Sequence, residues 1–178
     1  IRQSPAPITY GSSGIGTASH LAMALLIAKA GGKATHVPYR GNSQAVTDLL
    51  GGQIPIMFMT SISALPLVKT GRLRALGVTS AERLSMAPVI PTIAETLPGF
   101  EASPWYGVFL PFGAPKAIVE RLNNEILAVL QLPEIRAVVE GQGGTVVGNS
   151  PKEFEEYVRT EIEKWREAIL VSGATVGD

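Results

Sequence analysis

The sequence contains no cysteine, and that absence removes disulfides, cysteine-based zinc sites and thiol nucleophiles together. It leaves the compartment open, because cysteine-free chains occur on both sides of a membrane. Histidine is scarce: His20 and His36 are the only two, and without nearby carboxylates they make no metal site. Neither sign of charge dominates. The 15 Lys and Arg are matched by 15 Asp and Glu, which argues against a general nucleic-acid binder resting on clustered phosphate contacts. Long hydrophobic runs are missing too. The longest, Leu21 to Ala28, has eight residues, far below the roughly 20 needed to span a bilayer, and no basic segment or cleavage site precedes it. The expectation is a soluble chain with no membrane insertion, opening at Ile1 as a processed, excised or otherwise incomplete product.

What is present is an apolar fraction of 46% with 17% charged residues over 178 positions, the composition of a globular core. That length allows one ordinary domain or two small ones. The zero net charge hides two unequal halves. Residues 1–100 carry eight Lys/Arg and three Asp/Glu, a net of +5, whereas residues 101–178 carry seven and twelve, a net of −5. Within residues 1–60 the only acid is Asp48. An acid-poor, glycine-rich first half suits a small anion better than a metal ion, which would want carboxylates.

The elements alternate. Strands are expected at Ile8–Tyr10, His36–Tyr39, Ile54–Met59 and Leu73–Thr79, with helices at Thr17–Ala30, Ser43–Leu50 and Ser61–Lys69. The first two helices end at Gly31-Gly32 and Gly51-Gly52. This pattern predicts an α/β fold with a largely parallel sheet. Residues 80–104 read as irregular and Pro-rich, with one short helix at Thr92-Ile93-Ala94-Glu95, a capping-box pattern. Beyond a composition shift near 101–104, strands are expected at Trp105–Leu110 and Thr145–Val147. Helices are expected from Pro115 to about Leu130, from Pro133 to about Glu140, and after Ser150-Pro151-Lys152-Glu153. The last of these lines up Phe154, Tyr157, Val158, Ile162, Trp165 and Ile169 on one stripe, read as core-facing.

The strongest local motif is Tyr10-Gly11-Ser12-Ser13-Gly14-Ile15-Gly16-Thr17, set between a strand and a helix. Amides exposed at a helix N-terminus beside hydroxyls form an anion site; glycines that only permit a tight connection would look the same. Enzyme readings of the loop fail on spacing. Gly14-Ile15-Gly16 is followed by Thr17, Ala18 and Ser19, not by x-x-Gly; no Gly-Lys-Ser/Thr ends it; and Gly11-Ser12-Ser13 runs straight into Gly14, so G-x-S-x-G is absent. His20 and His36 read as hydrogen-bonded interior residues. Tyr39 and Arg40 close the second strand. In an open α/β sheet they would face the same crevice as Ser12 and Ser13, where Arg40 offers a carboxylate fork or stands as a solvated surface residue.

Together these residues resemble the Bug family, the substrate-binding proteins of tripartite tricarboxylate transporters. The resemblance rests on Tyr10 to Thr17 with His20, on His36-Val-Pro-Tyr-Arg-Gly41, and on Thr47-Asp-Leu-Leu-Gly-Gly-Gln53. It continues through Leu73 to Ser80 with Arg83, Pro91-Thr92 with Glu95, Trp105-Tyr-Gly107 and Pro111–Pro115. It implies a periplasmic-binding-protein-like (type II) α/β fold in which two lobes close on an organic carboxylate. The protein would be periplasmic, would need no cofactor, metal or catalysis, and would deliver the ligand to a membrane permease. Ser12, Ser13, Gly14 and Thr17 would line the ligand loop, with Tyr39 and Arg40 beside it. Residues 1–104 would be the family's second lobe, and 105–178 the returning part of a first lobe lacking half its sheet. Where many relatives carry Asp after Phe58 this chain has Met59, pointing to a ligand without an amino group: a di- or tricarboxylate or an aromatic acid. The alternative is a nucleotide- or phosphate-ester-using enzyme on the same glycine-rich loop.

Overall fold

The computed structural model describes residues 7–175. They fall into two compact units: one holds the residues up to Pro104 together with those from Lys164 onward, and the other is Trp105–Glu163.

In the first unit, strand β1 (Ile8–Ser12) leads through helix α1 (Ala18–Ala30) to strand β2 (Ala34–Pro38). The strands pair in parallel, with Ile8 opposite Ala34 and Ser12 opposite Pro38, a geometry that needs a crossover element such as α1. Gly31 ends α1 in the left-handed region at φ 66°, where a Cβ would be costly. The apolar run of α1 is buried: its residues from His20 to Leu25 are all inside. Leu21, Ala22 and Leu25 pack with Phe100, Ala102 and Ala168; Phe100, at 1% exposure, is the largest fully buried side chain. Helices α2 (Asn42–Leu50) and α3 (Ser61–Lys69) follow, and Leu65 of α3 joins Ala87 and Ile90 in a second small cluster.

The expected strands at 54–59 and 73–79 do not form. Pro55, which has no N–H to donate, interrupts the first, and what remains is one parallel bridge from Gly11 to Met57. Val78 likewise makes a single bridge, to Thr92, where no strand lies alongside to extend a ladder. The capping box at Thr92 is present, opening the one-turn 3₁₀ helix Ile93–Glu95. The Thr92 N–H donates to Glu95 Oε1 (2.9 Å) and the Glu95 N–H to Thr92 Oγ1 (3.2 Å). Arg83 adds a two-pronged contact to the same carboxylate, Nε to Oε1 at 2.7 Å and Nη2 to Oε2 at 2.5 Å. These bonds, the guanidinium first, hold the Glu95 carboxyl down at about 2.

In the second unit, α4 (Lys116–Leu130) and α5 (Pro133–Gly141) begin where the prolines predicted. Helix α6 (Pro151–Ser172) starts at Ser150: the Glu153 N–H donates to Ser150 Oγ (3.3 Å) and the Ser150 N–H to Glu153 Oε2 (2.8 Å). Its residues from Lys164 belong to the first unit. The strands expected at Trp105–Leu110 and Thr145–Val147 do not form: among the described residues no strand pairs with either segment. Tyr106 is 94% and Val108 68% exposed. Trp105 instead packs edge-on against Phe154 and Tyr157 and donates from Nε1 to Glu161 Oε2 at 2.9 Å. Gly107 passes so close to Phe154 that a Cβ there would fall 2.2 Å from Cζ. The stripe on α6 faces the core only in part. Phe154, Val158 and Trp165 are half-buried, Trp165 against the cluster of Leu21 and Phe100, whereas Tyr157, Ile162 and Ile169 are exposed and the fully buried residues are Glu161 and Ala168. Periodicity marked the apolar face correctly, but it carries no information about what covers that face.

Candidate functional site

β1 runs two residues further than expected and delivers Ser12 into the interior, fully buried. Its Oγ accepts the Gly14 N–H (3.1 Å), lies 3.0 Å from the Gly14 carbonyl and 2.6 Å from His36 Nε2. Ser12 therefore shapes the loop from inside rather than facing outward. Ser13 and Gly14 are partly exposed. The Ser13 N–H donates to Ser19 Oγ, and the hydroxyls of Ser13 and Thr17 each lie 3.1 Å from that same oxygen. Thr17 Oγ1 donates to the Gly14 carbonyl at 2.7 Å. Thr17 is the N-cap of α1, yet no side chain caps the helix amides. The result is a cluster of three hydroxyls at a helix start, where amides carry partial positive charge.

The second expected loop is joined to the first through the backbone. The Tyr39 N–H donates to Ser12 O (3.1 Å) and the Gly41 N–H to Ser13 O (3.2 Å). Gly14 takes a φ of 142°, and a Cβ there would stand 3.5 Å from the Tyr39 carbonyl. The Tyr39 phenol is turned to Asp48, donating to Oδ2 at 2.8 Å, and this bond raises its pKa. Arg40 is exposed. The backbones of all six expected residues thus come together; the side chains of Ser12 and Tyr39 do not point into a common opening.

His20 and His36 are both hydrogen-bonded, His20 buried as expected and His36 half-buried, and the structure adds that they meet. The rings stack at 3.8 Å and 6°, with Tyr10 stacked on His36 at 5.0 Å. The Gly16 N–H donates to His20 Nδ1 at 3.1 Å. Burial holds the pKa of His20 below the ordinary imidazole value, and burial plus the neighbouring ring brings His36 down to about 4. Ser19, Asp48 and this ring pair were not singled out from the sequence. The i,i+4 spacing of Gly16 and His20 was a readable signal, whereas the partners of His36 and Tyr39 follow from the fold. Among the described residues no three His, Asp or Glu converge where a metal ion could sit, and no helix is long and apolar enough to cross a membrane.

Comparison with known proteins places these features in a family. The profile described as "Tripartite tricarboxylate transporter family receptor" matches residues 1–173. The UPF0065 protein in the tcbD-tcbE intergenic region of Pseudomonas sp. (strain P51) is 41% identical over 171 residues, covering 95% of this chain and 51% of that protein. Among solved structures, Rpa4515 of R. palustris with adipate superposes with a TM-score of 0.84 at 32% identity, over 97% of this chain and 58% of that one. The periplasmic binding protein BugD gives 0.78 and 30%, over 94% and 57%. The chain therefore spans about half the length of the first of these relatives. The motif resemblance and the fold class are borne out, and the enzyme alternative finds no support.

Proposed function

The chain belongs to the tripartite tricarboxylate transporter receptor family, and from that premise we propose that it acts as a periplasmic solute-binding protein. It captures a small organic carboxylate and delivers it to a membrane permease of the tripartite type. The observation that carries the reading is the loop from Ser13 to Thr17. It brings an uncapped helix start together with the hydroxyls of Ser13, Thr17 and Ser19, with no acid in the stretch 7–47. A carboxylate placed there accepts from amides and hydroxyls through charge-assisted hydrogen bonds. Because the three hydroxyls already bond one another, their protons can rotate to an anion without moving the backbone.

Ser13, Gly14 and Thr17 are the proposed direct contacts. Ser12 holds the loop's shape, and Tyr39 and Arg40 border it, with the guanidinium free to swing toward a second carboxylate. The ligand class is a di- or tricarboxylate or an aromatic acid. Adipate, found in the Rpa4515 structure, is a member of that class. We assign residues 1–104 to the second lobe of the longer relatives and 105–178 to the returning part of the first. The exposed apolar surface of Trp105–Glu163 is where the remainder of that lobe would pack.

The test is a thermal-shift panel on the intact natural protein: C4 to C8 dicarboxylates, citrate, benzoate and adenine nucleotides. Stabilisation by one carboxylate class and none by nucleotides is expected; the reverse would sink the reading. Removing two charge-assisted bonds with Ser13→Ala plus Thr17→Ala should weaken binding by about 10- to 100-fold while leaving the melting temperature of the free protein in place. Unchanged affinity would move the site elsewhere.

A further inference from the structure

Two amides of the binding loop are fastened from below, and both fastenings end on imidazole. The Gly16 N–H donates directly to His20 Nδ1 at 3.1 Å. The Gly14 N–H donates to Ser12 Oγ at 3.1 Å, and that oxygen lies 2.6 Å from His36 Nε2. Gly14 and Gly16 sit at φ 142° and 73°, conformations open to glycine and costly for other residues. The two rings lie flat on each other at 3.8 Å, so the loop's two anchors share one stack.

That geometry is specific about protons. A ring nitrogen that accepts a backbone N–H must be unprotonated, which places the single proton of neutral His20 on Nε2. Adding a proton at Nδ1 breaks the bond from Gly16. Ser12 Oγ, which gives its own proton to the Gly14 carbonyl, accepts from His36 Nε2, so His36 acts through the stack, where one charged ring 3.8 Å away repels a second. We propose that stacked His20 and His36 are positioning residues for the carboxylate loop, holding it in its binding shape only while both rings are neutral, so that acid loosens the ligand. This rests on the carboxylate reading of the loop.

The surroundings fit. From β1 the rings meet Tyr10 and Ser12. Across a cavity of about 440 Å³, through which a proton can arrive, they meet Ser172 at the end of α6. Among the described residues that cavity is lined by no Asp, Glu, Lys or Arg. Because both rings are harder to protonate in the ordered loop than in a loosened one, the loosened form takes up more protons. Acid therefore favours it progressively as the pH falls from the ordinary imidazole value of 6.5 toward about 4.

The experiment uses the intact natural protein and a double variant, His20→Asn with His36→Gln, whose side-chain amides can still accept at position 20 and donate at position 36 but cannot be protonated. Nitrogen-15 NMR follows the amides of Gly14 and Gly16 and the ring nitrogens from neutral to acid pH, and calorimetry follows adipate binding at both ends. In the natural protein the two glycine amides should move with the ring titration. Adipate binding should weaken about tenfold more on acidification than in the double variant, in which ligand protonation is the same. Glycine amides that stay fixed through the ring titration, or that move equally in the double variant, would overturn the proposal even where carboxylates bind. Amides that follow the rings in a protein that binds no member of the carboxylate panel would keep the clamp and remove the carboxylate reading instead.

Discussion

Around the glycine-rich loop Ser13–Thr17 the chain buries Phe100, Met23 and Leu25 almost completely, whereas in Trp105–Glu163 the one buried residue is an acid, Glu161, hydrogen-bonded to Trp105. Both regions form helices with limits marked by glycine or proline, Gly31 after α1 and Pro115 and Pro133 before α4 and α5. The difference lies in what stands opposite them. α1 has Phe100, Ala102 and Ala168 against its apolar side, while α4 and α5 leave Ile118, Leu122, Val129 and Val138 in solvent. Capping and periodicity suffice to place a helix, but most helical stability comes from packing one face against something else. The comparison thus separates local instruction, which both regions have in full, from tertiary cover, which only the first has within this chain.

The sharpest way to break that comparison is to hollow both regions. Phe100→Ala should cost about 3–5 kcal/mol in urea unfolding, and Leu122→Ala or Val138→Ala less than about 0.5; similar losses would erase the distinction. Gly107→Ala asks how firmly the second unit is packed where it is packed at all. The added methyl meets Phe154 and should destabilise by about 1–3 kcal/mol, detectable as a loss of the near-ultraviolet signal of Trp105 at lower denaturant. Acid should act on the first unit. His36 has a folded pKa near 4 against 6.5, so the folded form binds fewer protons. Its stability is fully present above about 6.5 and is lost as the pH falls toward 4, by about 1 kcal/mol after allowing for partial solvent access. The His36→Gln variant should lose that slope in pH-dependent melting. Thr92→Ala should show the smallest effect, about 0.5–1 kcal/mol, by removing a cap at a single turn.

All six α-helices were legible because their limits are written locally: Gly31 and Gly51 after α1 and α2, Pro115 and Pro133 before α4 and α5, and the Ser150–Glu153 box before α6. Four strands were misread because a ladder is a property of two segments. Ile54–Met59 and Leu73–Thr79 have the right residues and gain only single bridges. For the site, the glycines and hydroxyls of 11–17 could be read from spacing, and so could the proximity of 39–41. The turn of the Ser12 side chain into the interior could not, because it depends on β1 running two residues longer. The His20–His36 stack joins positions sixteen apart in the sequence, brought together by the β1–α1–β2 crossover.

Helix α1 serves two masters in succession. Its first residues, up to Ser19, belong to the hydroxyl cluster, and from Leu21 onward it belongs to the core, with His20 between them. A change at Thr17 or Ser19 therefore reaches the loop backbone through the bonds to Gly14 and Ser13 without touching Phe100, while a change of size at Leu21 or Leu25 reaches Phe100 without touching the hydroxyls. Loop shape and core packing are written on different turns of the same helix.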